Sequence, residues 1–440
     1  MRWIPQTLRA VPVMFEAPAL DVWMATLLLS LIFLPPMRLA GQVPFRVDDI
    51  VAFGGGAVLI SGLLIKGKLP RLDGISAILL LMAFVTGMVT FLVGSSSHLS
   101  VGTKEYLDVL RPLKFMAVYL VVQRIPYDRC LKTLQQVLSV SLIPLVGLAI
   151  AQFLLLKPSS TNLLATFSLS FTELDVDQAR SYFGLRSFST FHTPTDLGYV
   201  ATFVLMASLA LRELPHRRRT AILAALGVLL SGTRTFIFGI PIMLIGFSVF
   251  IGSGVREKFR RLCITLILLS VGALSLLVII PSVSPDFAEN TTRSFGALTT
   301  GSFDQDQSIL TRLQNLQMVL YTWEHAPYFG VVSRDLLTTA ADSEYILTFH
   351  RYGLAGILQL VLFYWTGLAT LRVNESRREM QLFALFALLV TGLYGVTQGA
   401  LINTRVGVLV FVVLGVLHAK LPVECADSTL FPRPMSPHAA

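Results

Sequence analysis

Polar and apolar positions along this chain alternate in blocks, with apolar runs of about twenty residues separated by short polar, mostly basic, connections. About twenty apolar residues in a helix cross a hydrocarbon core of roughly 30 Å. The runs fall at 18–36, 47–65, 74–95, 105–123, 134–156, 195–211, 220–233, 235–252, 262–281, 352–371, 381–399 and 404–419, so the pattern predicts about twelve helical spans. The fourth run is atypical, because it carries Lys104, Glu105, Asp108, Arg111 and Lys114. Such residues fit either a helix lying partly in the interface or one facing a wet cavity. The seventh run is short, which predicts a turn at Ser231-Gly232-Thr233 and a new helix starting near Thr233. Arg234 then stands in the first turn of that helix, where a cation opposes the helix dipole. In mid-bilayer it would cost from about 3 to over ~10 kcal/mol. Both rules point to a retained task at the membrane boundary.

The connections set an orientation. With the N-terminus inside, the loops "KGKLPR", "QRIPYDRCLK", "LRELPHRRR", "GSGVREKFRR" and "RVNESRRE" are cytoplasmic and basic, whereas "GSSSHLS" and "QGALIN" lack Lys and Arg. The outer turn "MRLAGQVPFR" is an exception that does not overturn the count. Both termini are expected inside, with residues 1–17 a cytoplasmic lead-in, 18–419 one transmembrane domain and 420–440 a tail read as disordered. Two long polar segments, 157–194 and 282–350, are expected outside, and long loops in compact proteins are usually functional or disordered. In the second, Ile309, Leu313, Leu316, Leu320 and Trp323 recur at helical spacing, predicting an amphipathic helix on the membrane or over a cavity.

Composition agrees with this picture: 54% of residues are hydrophobic and 14% charged, against roughly a quarter charged in soluble domains. The net charge of +9 is spread between apolar spans rather than massed on one face, which reads as positive-inside flanking and not as nucleic-acid binding. Cys130, Cys263 and Cys425 are expected on or near the cytoplasmic side as free thiols, and no Cys or His cluster suggests a metal site or other cofactor.

Candidate chemistry lies with the outward arginines, Arg180, Arg186, Arg234, Arg293, Arg312 and Arg334. A guanidinium binds phosphate bidentately and stays charged when desolvated. The expected ligand at an outer face is a lipid-linked phosphate or diphosphate. Arg293 and Arg334 read as snorkelling or paired, while Arg186 and Arg234 sit at Gly/Ser/Thr turns near span ends.

These turns carry a resemblance. "YFGLRSFSTFHTPTDLGYVATF" resembles the R-x-x-G-T-F-x-x-P-N-x-x-G segment of bacterial O-antigen polymerases and O-antigen ligases, and "LLSGTRTFIFG" resembles their S-G-S-R segment. "TRLQNLQMVLYTWEHAPYFGV" and "ADSEYILTFHRYGLAG" are similar to the elements of their last outer loop. Ser189 and Thr195 depart from the first motif, and Gly330-Val331-Val332 lacks a second glycine. Asp342 stands where the ligases have histidine, which weakens the ligase resemblance and leaves the polymerase one.

The resemblance implies an all-α, GT-C-like membrane glycosyltransferase in the bacterial inner membrane. It would join undecaprenyl-diphosphate-linked repeat units into exopolysaccharide or O-antigen at the periplasmic face, without metal or cofactor. A flippase and a chain-length regulator of the same pathway are the expected partners. Departure of a diphosphate needs cations, and Arg186 and Arg234 are the candidates, with Arg180 and Arg312 in support. The attacking hydroxyl needs a base, and Asp342 and Glu344 are available; the plain alternative is that these acids merely start a helix. His192, Thr193 and Tyr345 are candidate substrate contacts, although Tyr345 and Trp323 equally suit an interfacial aromatic belt. The remaining histidines, His350 included, carry no assigned role, and Arg111 and Lys114 would meet the lipid phosphate if the fourth span faced a cavity. Two alternatives stay open: a ligase transferring glycan to lipid A-core, and a transporter of the lipid-linked glycan.

Overall fold

Among the described residues, helices form where the apolar runs predict them; most of the run 262–281 lies outside those residues. The computed structural model describes residues 17–34, 37–39, 43–65, 72–96, 108–155, 187, 189–191, 193–251, 256–260, 262–267, 317–331, 343–370, 377–397 and 404–420. Its helices are α1 (Ala17–Phe33), α2 (Val47–Ile65), α3 (Gly74–Ser96), α4 (Leu110–Val122), α5 (Tyr127–Leu155), α6 (Pro194–Ala210), α7 (Arg217–Ser231), α8 (Arg234–Ile251), α9 (Glu344–Thr370), α10 (Arg378–Thr397) and α11 (Thr404–Leu417). Residues 256–260, 262–267 and 317–325 are also helical. The expected all-α architecture gains one small exception: the turn after α1 is a hairpin, β1 (Met37–Leu39) antiparallel to β2 (Val43–Phe45).

Among the described residues, five helices are long and apolar enough to cross a membrane, and shorter apolar helices lie at 19–33, 194–210, 235–246 and 405–417. Large apolar side chains on several helices face outward, among them Phe84, Phe91, Ile222, Ile242 and Trp365. A soluble surface rarely gathers so many, so the architecture is consistent with a multi-pass membrane protein.

Two helices form the centre. Residues 405–417 of α11 are all buried, and α6 is buried over nearly its whole length. A helix that is apolar all round suits either lipid or a protein interior; here packing decides for the interior. α4 reaches α11 through small residues: a Cβ on Gly407 would fall 2.2 Å from the Phe115 ring, and one on Gly415 would fall 2.8 Å from Val122. Small residues at helix crossings let backbones approach closely. Phe115 and Phe411 stack across this interface with centroids 5.2 Å apart. α7 packs on α6, and α10 lies between α6 on one side and α9 and α11 on the other.

Polar ties mark the two ends of the bundle. At one end Tyr127 N donates to Lys420 O at 2.9 Å, Arg129 pairs with Asp21, and Arg212 pairs with Glu379. Asp73, just ahead of α3, accepts from the Ser76 amide at 2.9 Å, from the Tyr119 hydroxyl at 2.5 Å and from Gln123 at 2.9 Å. Burial works to raise the Asp73 carboxyl, but the bonds from Tyr119, Ser76 and Gln123 outweigh it and hold the group below its usual value. The opposite end carries the motifs.

Candidate functional site

The first two motif segments meet. The Ser187 amide donates to Leu230 O at 2.9 Å, tying the residue after Arg186 to the turn before Arg234. Gln152 of α5 holds the same loop, donating to Ser189 O at 2.9 Å and accepting from Ser189 N at 2.6 Å. Gly232 closes α7 with φ 57°, the left-handed conformation that glycine adopts without steric cost. Gly198 of α6 is needed for close approach: a Cβ there would lie 2.8 Å from both Ser231 Oγ and the Phe236 ring. The serine-glycine turn of one motif therefore rests directly on the glycine of the other. α8 begins at Arg234, so the predicted turn and helix start are both observed.

The last two motif segments also interlock. α9 is broken at Gly353, with φ 58° and ψ −142°, and the turn 326–331 fits into the break. Leu354 N donates to Pro327 O at 2.8 Å, Ala355 N to Tyr328 O at 3.2 Å, and Val331 N to His350 O at 2.9 Å. A broken helix inside an apolar bundle is tolerated only when its freed backbone groups are satisfied this way. Gly330, at φ 66°, lies so close that a Cβ would sit 2.4 Å from the Arg351 carbonyl carbon. Thr322 of the helical stretch 317–325 is buried and meets His350 Nδ1 at 2.5 Å. The predicted amphipathic helix is observed over 317–325, with its apolar residues turned away from the bundle. Leu320 and Trp323 are exposed, and Thr322 turns inward, because the docking partner is the polar edge of the break. Ile309, Leu313 and Leu316 lie outside the described residues.

α10 joins the two halves. Tyr394 donates to Asp196 of the first motif, while Ser343 Oγ donates to Gly395 O at 3.3 Å and Tyr345 donates to Gly392 O at 2.9 Å. All four segments thus converge on one end of the bundle.

The sequence candidates fall as follows. Thr193 caps α6, accepting from Asp196 N at 3.2 Å. Tyr345 lies between helices, its hydroxyl also 3.2 Å from that of Tyr364. Arg234 and Glu344 stand in the first turns of α8 and α9, but their side chains are outside the described residues. Arg180, Arg186, His192, Arg312 and Asp342 lie outside them altogether.

Of the charged groups buried or half-buried at this same end, the sequence marked Asp108, Arg111 and Lys114 as candidates for a cavity, whereas Arg351, Arg405, Asp48 and Asp49 were missed. Arg351 donates to Asp108, which also accepts from Arg111 at 2.6 Å and from the Tyr352 hydroxyl at 3.2 Å. With Thr86, Thr348 and Gln359 these groups line a cavity of about 40 Å³, room for little more than a water or two. Beside it Lys114 pairs with Asp48 and, at 2.5 Å, with Asp49. Arg405, 3% exposed, donates to Leu34 O and lies 5.4 Å over the Phe191 ring, next to the first motif. The available signal was a lone arginine at the edge of each apolar run, at 351 and at 405.

Among the described residues, this end of the bundle therefore combines buried ion pairs, a broken helix and the turn that precedes Arg234, in a mainly helical structure with several helices suited to crossing a membrane. No protein-family model and no curated protein matches the chain.

Proposed function

We propose that this chain is a membrane glycosyltransferase that polymerises lipid-diphosphate-linked oligosaccharide repeat units into exopolysaccharide or O-antigen. In this reading it has about twelve spans in a GT-C-like arrangement in the bacterial inner membrane. Both termini are cytoplasmic and the motif end faces the periplasm.

One observation carries the reading. The segments around Arg186, Arg234 and Glu344, far apart in sequence, are tied together through Ser187–Leu230, Asp196–Tyr394 and Ser343–Gly395. The chemistry needs cations and a carboxylate to meet, and the ties between these segments support that reading. The arginines stabilise the departing diphosphate, and Asp342 or Glu344 accepts the proton of the attacking hydroxyl. The carboxylate directs that hydroxyl to the anomeric carbon as the glycosidic C–O bond to the diphosphate breaks. Attack from the face opposite the leaving group inverts the anomeric centre.

The test is glycan analysis of cells lacking the protein, in which single repeat units are expected to accumulate on the lipid carrier. Arg234→Ala is expected to abolish polymer while the protein stays in the membrane at normal abundance. Unchanged polymer in that variant would refute the assignment. A second reading, transport of the lipid-linked glycan, draws on the interrupted helix α9, since transporters place substrate at broken helices. Purified protein given lipid-linked repeat units separates the two, because chain growth marks the polymerase and translocation without growth marks the transporter.

A further inference from the structure

A larger cleft lies at the end of the bundle away from the motifs, where α6 finishes and α7 begins. Its volume is about 680 Å³, and its lining includes Leu209, His216, Arg217, Arg218, Arg219 and Ala221. The three arginines are not equivalent. Arg217 is committed to the protein, donating to Ser208 O at 2.5 Å and to Leu209 O at 3.1 Å, the carbonyls that end α6. Arg218 and Arg219 are exposed, and neither makes a hydrogen bond or ion pair with any described residue. Nearby Glu379 is taken by Arg212, through the Arg212 amide at 2.9 Å and its side chain at 3.2 Å.

The wall of the cleft changes character within one helical turn. Thr220 is buried, Ala221 lines the cleft, and Ile222 projects outward with 69% exposure at the start of an apolar run. Cationic rim and apolar wall therefore meet at the boundary between the polar loop and the membrane-facing part of α7. Loop charge alone would orient the chain without needing a cavity. A cavity lined by two guanidiniums that no described residue engages, together with Leu209 and Ala221, matches a phosphate attached to an acyl chain.

We infer that this cleft binds the phosphate of an anionic glycerophospholipid, with the headgroup on Arg218 and Arg219 and an acyl chain against Leu209 and Ala221. This site is separate from the proposed glycan chemistry, which sits at the other end of the bundle. Native mass spectrometry of the purified full chain with phosphatidylglycerol and phosphatidylcholine tests it. The protein is expected to retain phosphatidylglycerol on the order of tenfold more than phosphatidylcholine, each arginine contributing about fivefold or less. Arg218→Gln/Arg219→Gln is expected to erase the preference. Arg256→Gln/Lys258→Gln, which removes equal charge outside the cleft, is expected to keep it. Millimolar inorganic phosphate is expected not to displace the lipid. In the unmodified protein, a phosphatidylglycerol with a photoactivatable acyl chain is expected to label residues within 205–225. A preference that survives in the cleft variant, displacement by inorganic phosphate, or labelling confined to other segments would each overturn the inference.

Discussion

Asp108 holds two guanidiniums, those of Arg351 and Arg111, at a buried position. Removing the carboxylate leaves the two cations facing each other, and breaking a buried pair from one side costs about 3–5 kcal/mol. Asp108→Ala is therefore expected to lower the melting temperature of the purified protein sharply, and Asp108→Ala/Arg351→Met to recover part of the loss. Equal melting of single and double variants would show that the pair is not coupled. Gly353 makes a second prediction at this scale. Its conformation is one that residues with a Cβ rarely adopt, and a Cβ there would lie 2.5 Å from Pro327 O. Gly353→Ala is expected to cost about 2 kcal/mol or more, read as a lower melting temperature, whereas Gly54→Ala, inside α2 with nothing within 4 Å of the added Cβ, should leave it equal or slightly higher. The arginines at 351 and 405 were visible in the sequence as charges at the edges of apolar runs. Their partners were not, because Asp108 is 243 residues from Arg351 and no local pattern pairs them.

Among the elements, several helix bounds followed the sequence closely, whereas α5 starts at Tyr127 instead of the predicted 134 and α4 at Leu110 instead of 105. α2 spans the predicted 47–65, and α8 starts at Arg234 after the predicted turn. α9 shows the limit: its apolar run was legible, but the extra turns from Glu344 and the break at Gly353 depend on the docked 326–331 segment. The hydrogen bond from Tyr119 of α4 to Asp73, just ahead of α3, carries a pH prediction. Asp73 is depressed in the folded protein relative to an unfolded carboxylate near pH 3.9. Its contribution to stability is thus present above about pH 4 and is lost as pH falls through the lower folded value. Asp73→Asn is expected to flatten the decline in melting temperature below pH 4. An unchanged acid profile would remove Asp73 from the account.

For the molecule as a whole, the question is which apolar helices face protein and which face lipid. α11 is central, and its close crossing with α4 depends on Gly407. Gly407→Leu is expected to push the Phe115 ring out of its stack on Phe411 and to reduce the folded yield in membranes, measured by size-exclusion chromatography after detergent extraction. An undisturbed monodisperse peak would argue that α4 and α11 are not held together there. The convergence of the four motifs at one end is likewise a property of the assembled bundle, made through α10, which carries none of them.

The sequence alone determined where helices form and where they turn, since hydrophobic run length and Gly/Ser/Thr punctuation act over a few residues. It also determined that Arg234 opens a helix. Only the tertiary structure decided that α6 and α11 are interior, since an apolar side chain satisfies lipid and protein alike. It also decided which buried charges share a partner, and that Leu320 and Trp323 face outward while Thr322 faces in. Those outcomes depend on contacts between distant segments, whose energies no local periodicity encodes.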